Sequence, residues 1–297
     1  MKQFLMGAAA LALVACGGDA EVDTVTAEVD APVAEAPAAT APTLTLADTV
    51  ANSRRDADRA RDQFRNPVET LEFFGLTDDN IKPGMRVAEI WPGYYTDIIA
   101  PYLAERDAQF VAVLFPEGVN ERLDARIAAY RDKYADADTF GDIDVQSFSG
   151  DAGLSLEDGS VDMILTFRNV HNWMGGGYAE KAFAEFARAL KPGGTLGVVE
   201  HRLPETRTQD PKARSGYVQE SYMKALAAEA GLEFVGASEV NANPLDTADH
   251  PMGVWTLPPR SRVPEAGTEE AKDFDAELYR NIGESDRATL LFRKPAG

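Results

Sequence analysis

Apolar positions along this chain fall into two rhythms. Short runs at Arg86 to Ile90, Gln109 to Phe115, Ser160 to Phe167, Thr195 to Glu200, Leu232 to Gly236 and Ala288 to Arg293 read as strands, the first and fourth of them buried. Between them, Thr96 to Leu103 and Ser221 to Ala230 read as helices, and Tyr178 to Leu190 carries Ala182, Phe183, Phe186, Ala187 and Leu190 at helical spacing. Strands alternating with helices predict an α/β fold, a doubly wound and mostly parallel sheet with helices on both faces.

Breakers punctuate this pattern where connections are needed. Pro92-Gly93 turns the first strand into the helix that follows, Lys191-Pro-Gly-Gly194 ends the Tyr178 helix before the next strand, and Gly231 caps the Ser221 helix. Upstream, Leu46 to Phe64 is predicted as one polar helix with sparse apolar positions, ended by Asn66-Pro67, with a short helix at Glu69 to Phe74. It is expected to pack across the mouth of a ligand site, and its arginines (Arg54, Arg55, Arg59, Arg61, Arg65) read as a salt-laced face. Asn241 to Pro259 is a long irregular insertion of the kind that builds site walls.

The amino terminus has a different character. Met1-Lys-Gln, an apolar run from Phe4 to Ala15 and then Cys16 give the basic and apolar regions of a secretory signal, too short to span a bilayer. Leu13-Val-Ala-Cys16 resembles a bacterial lipobox, in which Cys16, the only cysteine of the chain, is the lipidation site. Gly17 after it leans toward the outer membrane. Asp19 to Thr43 lacks aromatic residues and is nearly all Ala, Val, Pro, Thr, Glu and Asp, a composition that reads as a tether. The expected organisation is a signal peptide at 1–15, an anchor cysteine and disordered tether at 16–45, and one domain at 46–297. The chain is expected on the periplasmic face of a bacterial membrane, attached through the lipid alone.

Charge narrows the partners. A formal net charge of −20, from 49 acidic against 29 Lys and Arg residues, makes nucleic acid a poor partner. The acidic surface keeps an exported protein soluble.

Candidate chemistry gathers at the strand ends, where open α/β sheets bind ligands. Glu89 closes the first strand and could accept from an ammonium or hydroxyl, and the helix start beyond Gly93 offers backbone N–H groups. Asp162-Met-Ile-Leu-Thr-Phe167 runs into Arg168-Asn169-Val170-His171-Asn172, and Glu200-His201-Arg202 places acid, base and cation at another strand end. His171 and His201 are general-base candidates, since an imidazole near its ordinary pKa can take a proton from a hydroxyl, amine or acidic carbon. Either could instead serve as a structural hydrogen-bonding group, and Arg202 could simply pair with Glu200. Two histidines and a glutamate could also be drawn as a metal set, but their spacing is not that of a zinc helix motif, and no metal is expected.

Val87-Ala-Glu-Ile-Trp-Pro-Gly-Tyr-Tyr-Thr96 and, downstream, Leu190-Lys-Pro-Gly-Gly194 together resemble the brackets of a class I S-adenosylmethionine-dependent methyltransferase. The resemblance implies a Rossmann-like methyltransferase sheet. Phe167 to Met174, Val199 to Arg202, Gly216 to Val218 and Ser238 to Pro244 narrow it to a group of predicted methyltransferases of unestablished substrate, over about residues 48 to 297. That group's loop resembles Trp-Pro-Gly-Gly-Gly-Trp-Tyr-Thr. Here Trp91 stands at the first glycine position, Gly93 remains, and Tyr94 or Tyr95 stands at the third.

The resemblance implies S-adenosylmethionine as cofactor, held by Glu89, Trp91, Pro92, Gly93, Tyr95 and Asn169. Asp151 is placed to accept from the adenine amino group, an Asx turn being its other reading. Leu114 occupies the usual place of the acid that takes the ribose hydroxyls, and Glu117 is a substitute for it or a solvated turn residue. Substrate, small molecule or envelope component, is expected near Asn172, Arg202 and Tyr217. The alternative is a non-catalytic envelope lipoprotein of the same fold that binds a ligand or partner.

Overall fold

A computed structural model describes residues 44–297. The expected signal segment, Cys16 and the tether as far as residue 43 lie outside the described residues. Within them, no helix is long and apolar enough to cross a membrane.

One eight-stranded sheet organises the chain: β1 (Arg86–Ile90), β2 (Gln109–Leu114), β3 (Asp144–Ser149), β4 (Gly153–Leu154), β5 (Val161–Phe167), β6 (Leu190–His201), β7 (Glu233–Ser238) and β8 (Arg287–Arg293). Their spatial order is β4-β3-β2-β1-β5-β6-β8-β7. β3, β2, β1, β5 and β6 run parallel, whereas β8 is antiparallel to both β6 and β7, and β4 is antiparallel to β3. The winding direction reverses between β1 and β5, where two crossovers leave in opposite directions and a crevice opens beyond the carboxyl ends of the strands.

The alternation of side chains along each strand divides the core into two layers. Ala88, Ile90, Val111, Val113, Ile164 and Val198 face one cluster with the helices Ala179–Ala189 and Glu220–Glu229. Val87, Ala112, Met163, Leu165 and Val199 face the other with the helix Thr96–Ala104. Helices therefore cover both faces, and the central strands are buried throughout. Gly197 serves this packing: a Cβ there would stand 2.8 Å from the Phe74 ring and from Leu165, so the helix Pro67–Phe73 can lie close on the sheet.

Two expectations need correction. The single helix over Leu46 to Phe64 is instead a short helix, Leu46–Ala51, closed by a Thr45–Asp48 capping box, followed by isolated turns and Asp62–Arg65. Its sparse apolar residues offer no continuous stripe to bury, and extended Asn52 ends the helix by capping Arg54. Arg55 and Arg65 turn inward instead, their guanidinium carbons 4.9 and 4.5 Å from the centre of the Tyr94 ring. Lys191-Pro-Gly-Gly194, expected as a turn before β6, lies within it as an irregularity in the pairing with β5.

Candidate functional site

The carboxyl ends of β1, β2, β5 and β6 supply Trp91, Phe115, Arg168, Asn169, His171 and His201 to one cleft of about 670 Å³. Arg61 closes one side, Glu284 and Ser285 ahead of β8 form the floor, and Val254, Trp255 and Leu257 to Arg260 form the far wall. The Asn241 to Pro259 insertion thus does wall the cleft. Of the expected lid segment, Arg61 reaches it.

Glu200 is fully buried and its carboxylate has three N–H donors around it. Oε2 accepts from the His171 N–H, and Oε1 accepts from the His201 N–H at 2.8 Å. In the contact of 2.9 Å between His171 Nδ1 and Glu200 Oε1 the carboxylate oxygen is the acceptor, which makes Nδ1 the protonated nitrogen. His171 Nε2 is then left with its lone pair. His171 sits in the first turn of the helix Val170–Gly176, its ring 6.2 Å from that of Trp255.

His201 is placed differently. Its Nδ1 lies 2.5 Å from Ser285 Oγ, and its ring is 5.4 Å from that of His171. Burial first, then the neighbouring His171, Arg168 and Arg287, holds its pKa well below the ordinary value, so the ring is neutral. Ligand atoms of His171, Glu200 and His201 come within 4.8 Å of one another, which has the look of a metal set. Glu200 already accepts three N–H donors in that cluster, two on Oε1 and one on Oε2.

At the first loop, Glu89 is buried and its Oε2 has no hydrogen-bond partner. Burial drives its pKa to about 8, against the Gly93 N–H and the Arg168 charge, which lower it. Trp91 adopts φ 52°, a left-handed conformation that costs a residue with a Cβ roughly 1 kcal/mol or more and that glycine adopts freely. The site's first missing glycine is therefore the one whose backbone freedom is needed. The indole donates to Phe148 O, stacks on Phe115 at 4.3 Å and meets Trp173 edge-on. Gly93 is exposed and has no positive φ.

Phe115 also lines a second cleft of about 840 Å³ with Asp151, Gly150 and Tyr178. The Trp91–Phe115 pair therefore stands beside both clefts, and Asp151 is exposed in the second.

The other expected residues separate into two groups. Asn172 lines the first cleft, and Asn169 lines it while its amide donates to Ile90 O and Thr166 Oγ1, tying the ends of β1 and β5 together. Tyr95 is buried against Phe167 at 3.8 Å, a core residue, and Pro92 lies outside the residues lining either cleft. Glu117, expected toward a ribose, is on an outer surface in an ion pair with Arg131. Arg202, expected at the substrate, is held by Asp286, Glu220 and Glu239, which leave its guanidinium no free face. Tyr217 is buried with its hydroxyl 3.0 Å from both oxygens of Asp246, and neither borders the cleft.

Sequence reasoning put Arg168 in the polar tail of β5 and Arg61 on a salt-laced face without giving either a role in the site, and it passed over Glu284 and Ser285. Glu284 is bound by Arg61 and Arg65 at 3.0 Å and by Arg287 at 3.3 Å. Arg168 follows an apolar strand directly, and that local signal put it in the tail that faces the crevice. The other three meet only through the tertiary fold.

Residues 93–198 match the family model described as a methyltransferase domain, from the Gly93 loop into β6. No curated protein matches the chain in sequence. Among solved structures, a SAM dependent methyltransferase from Aquifex aeolicus is 19% identical, with 67% of this chain and 94% of that one covered at a TM-score of 0.45. A SAM-dependent methyltransferase from Methanosarcina mazei is 15% identical over 74% and 96% of the two chains, TM-score 0.44. Phosphoethanolamine N-methyltransferase 2 of Haemonchus contortus is 14% identical over 85% and 60%, TM-score 0.48.

Proposed function

We propose that the chain is a methyltransferase that uses S-adenosylmethionine and transfers its methyl group to an acceptor bound beside His171. The observation that carries this reading is the His171 imidazole, oriented by buried Glu200 and lining a cleft at the sheet's switch point, in a chain whose residues 93–198 match a methyltransferase domain.

Two features fit the cofactor. The partnerless Oε2 of Glu89 suits the ammonium of its amino-acid end, and Asp151 in the adjoining cleft suits a purine amino group. S-adenosylmethionine supplies an electrophilic methyl group on a sulfonium. The chain's own part is positioning and proton management. His171 Nε2 takes the proton that the acceptor loses, and Glu200 stabilises the imidazolium that results. Neutral His201, fixed by Ser285, shapes the floor. Trp91 and Trp255 limit the water that reaches the cleft.

Calorimetric titration of the full chain with S-adenosylmethionine and S-adenosylhomocysteine tests the reading. Micromolar binding is expected, and no binding at millimolar concentration overturns it. The amino-terminal sequence supports a further proposal, that this activity is exported and lipid-anchored at Cys16.

A further inference from the structure

The cleft is cationic in an acidic protein. Arg61, Arg126, Arg168 and Arg260 line it against a single acid, Glu284, whose carboxylate is already engaged by Arg61, Arg65 and Arg287. The chain as a whole carries −20. Positive charge concentrated at one concave site against that background is a local feature that focuses the field on an anion.

Arg168 is the centre of this arrangement. Its backbone N–H bonds Val199 O, and its φ of 63° holds it at the end of β5 in a conformation that non-glycine residues rarely adopt. Among the described residues its guanidinium has no ion-pair or hydrogen-bond partner, unlike those of Arg55, Arg65, Arg188 and Arg202. Burial first, then the neighbouring Arg287, push its pKa down to about 10, against the charge of Glu284, which raises it. Such a planar fork matches a carboxylate or phosphate.

We infer that the methyl acceptor enters as an anion, its carboxylate or phosphate group received by Arg168 within reach of the cleft's other arginines and beside His171. The inference rests on the methyltransferase reading for the word acceptor, but the anion site stands on the charge and geometry of the cleft. Arg126 and Arg260, exposed at the mouth, draw the anion in.

The probe is inorganic phosphate, titrated calorimetrically into the full chain alone and into the chain saturated with S-adenosylmethionine. Phosphate is expected to bind both, with Arg168→Gln weakening it at least about tenfold, and with Arg168→Lys, which keeps the charge, restoring part of the loss and leaving the affinity for S-adenosylmethionine unchanged. Circular dichroism melting of each variant separates lost binding from lost folding. If R168Q does not fold, the same comparison is made with R260Q, which is expected to weaken phosphate by a few-fold.

Phosphate binding that is absent, or equal in wild type and in the folded variants, overturns the inference. Competition between phosphate and S-adenosylmethionine, with R168Q weakening both, overturns it too by giving Arg168 to the cofactor's own carboxylate. Phosphate binding through Arg168 without any cofactor binding keeps the anion site and removes the methyltransferase reading.

Discussion

His171 Nδ1 lies 2.9 Å from Glu200 Oε1, and the same carboxylate accepts the backbone N–H groups of both His171 and His201. One buried carboxylate thus fixes the tautomer of one histidine and the main chain at a helix start and a strand end. Replacing His171 by Ala is expected to lower turnover by about 10²- to 10⁴-fold with cofactor affinity retained. Glu200→Gln keeps the shape but removes the charge that stabilises an imidazolium, and should lose much of the same factor. His201→Asn is expected to stay within about tenfold of wild type, because a neutral ring held below its ordinary pKa is a poor base. Single-turnover rates for the three variants check this, and equal losses at His171 and His201 would refute the assignment.

Glu89 makes the chain's pH dependence specific. Its folded pKa of about 8 lies above the ordinary 4.5, so between those values the folded chain holds a proton that the unfolded chain has released. Stability therefore falls as pH rises through that window and is lowest above it. The thermal midpoint of Glu89→Gln should lack this component, so the gap between variant and wild type widens from about pH 4.5 to about pH 8 and is constant above. Cofactor binding runs the other way: an ammonium at Oε2 needs the ionised acid, so affinity should rise by up to about tenfold per unit until about pH 8 and be flat in the variant.

The strands and the cleft's position were legible because both follow from local pattern. Ser160 to Phe167 and Gln109 to Phe115 announce strands, and the polar residues that follow such strands face the crevice. Asn169, His171 and His201 were found that way and do line it. Arg202 and Tyr217 follow the same logic but do not line the cleft. Their partners, Asp286 for the arginine and Asp246 for the tyrosine, are far away in the chain and reach them only through the long insertion and β8. Glu284 was invisible for a like reason, since its three arginine partners come from Arg61, Arg65 and Arg287 and no spacing joins the first two to it.

Arg202 is expected to matter for stability and not for turnover. With its side chain 19% exposed, it joins the end of β6 to Glu220 at the start of a helix, to Glu239 after β7 and to Asp286 before β8. Arg202→Ala leaves Glu239 and Asp286 without their cation, while Glu220 keeps Lys224. A loss of about 2 kcal/mol is reasonable for a partly buried hub, between the small value of surface pairs and the larger one of buried pairs. Urea denaturation measures it, and unchanged kcat in the folded variant separates this role from substrate binding.

Cys16 offers a test of place that needs no structure. If it is acylated, cells expressing the chain and fed labelled palmitate should give a labelled, membrane-associated protein, and Cys16→Ala should lose the label and leave the membrane fraction. Label retained in the variant would remove the lipid-anchor proposal.

Trp91 sets two effects against each other. Its left-handed backbone costs roughly 1 kcal/mol or more, which glycine would recover. Its indole, however, donates to Phe148 O and packs on Phe115 and Trp173, and deleting a packed aromatic side chain costs about 3–5 kcal/mol. The balance is a net destabilisation of about 2–4 kcal/mol for Trp91→Gly, measured by urea denaturation. The same substitution removes the bulk that stands where both clefts meet. If the indole narrows the path between Glu89 and Asp151, the folded variant should bind S-adenosylhomocysteine more tightly despite its lower stability. Unchanged or weaker binding would show that the stack with Phe115 is part of the site's wall and is used with the ligand in place.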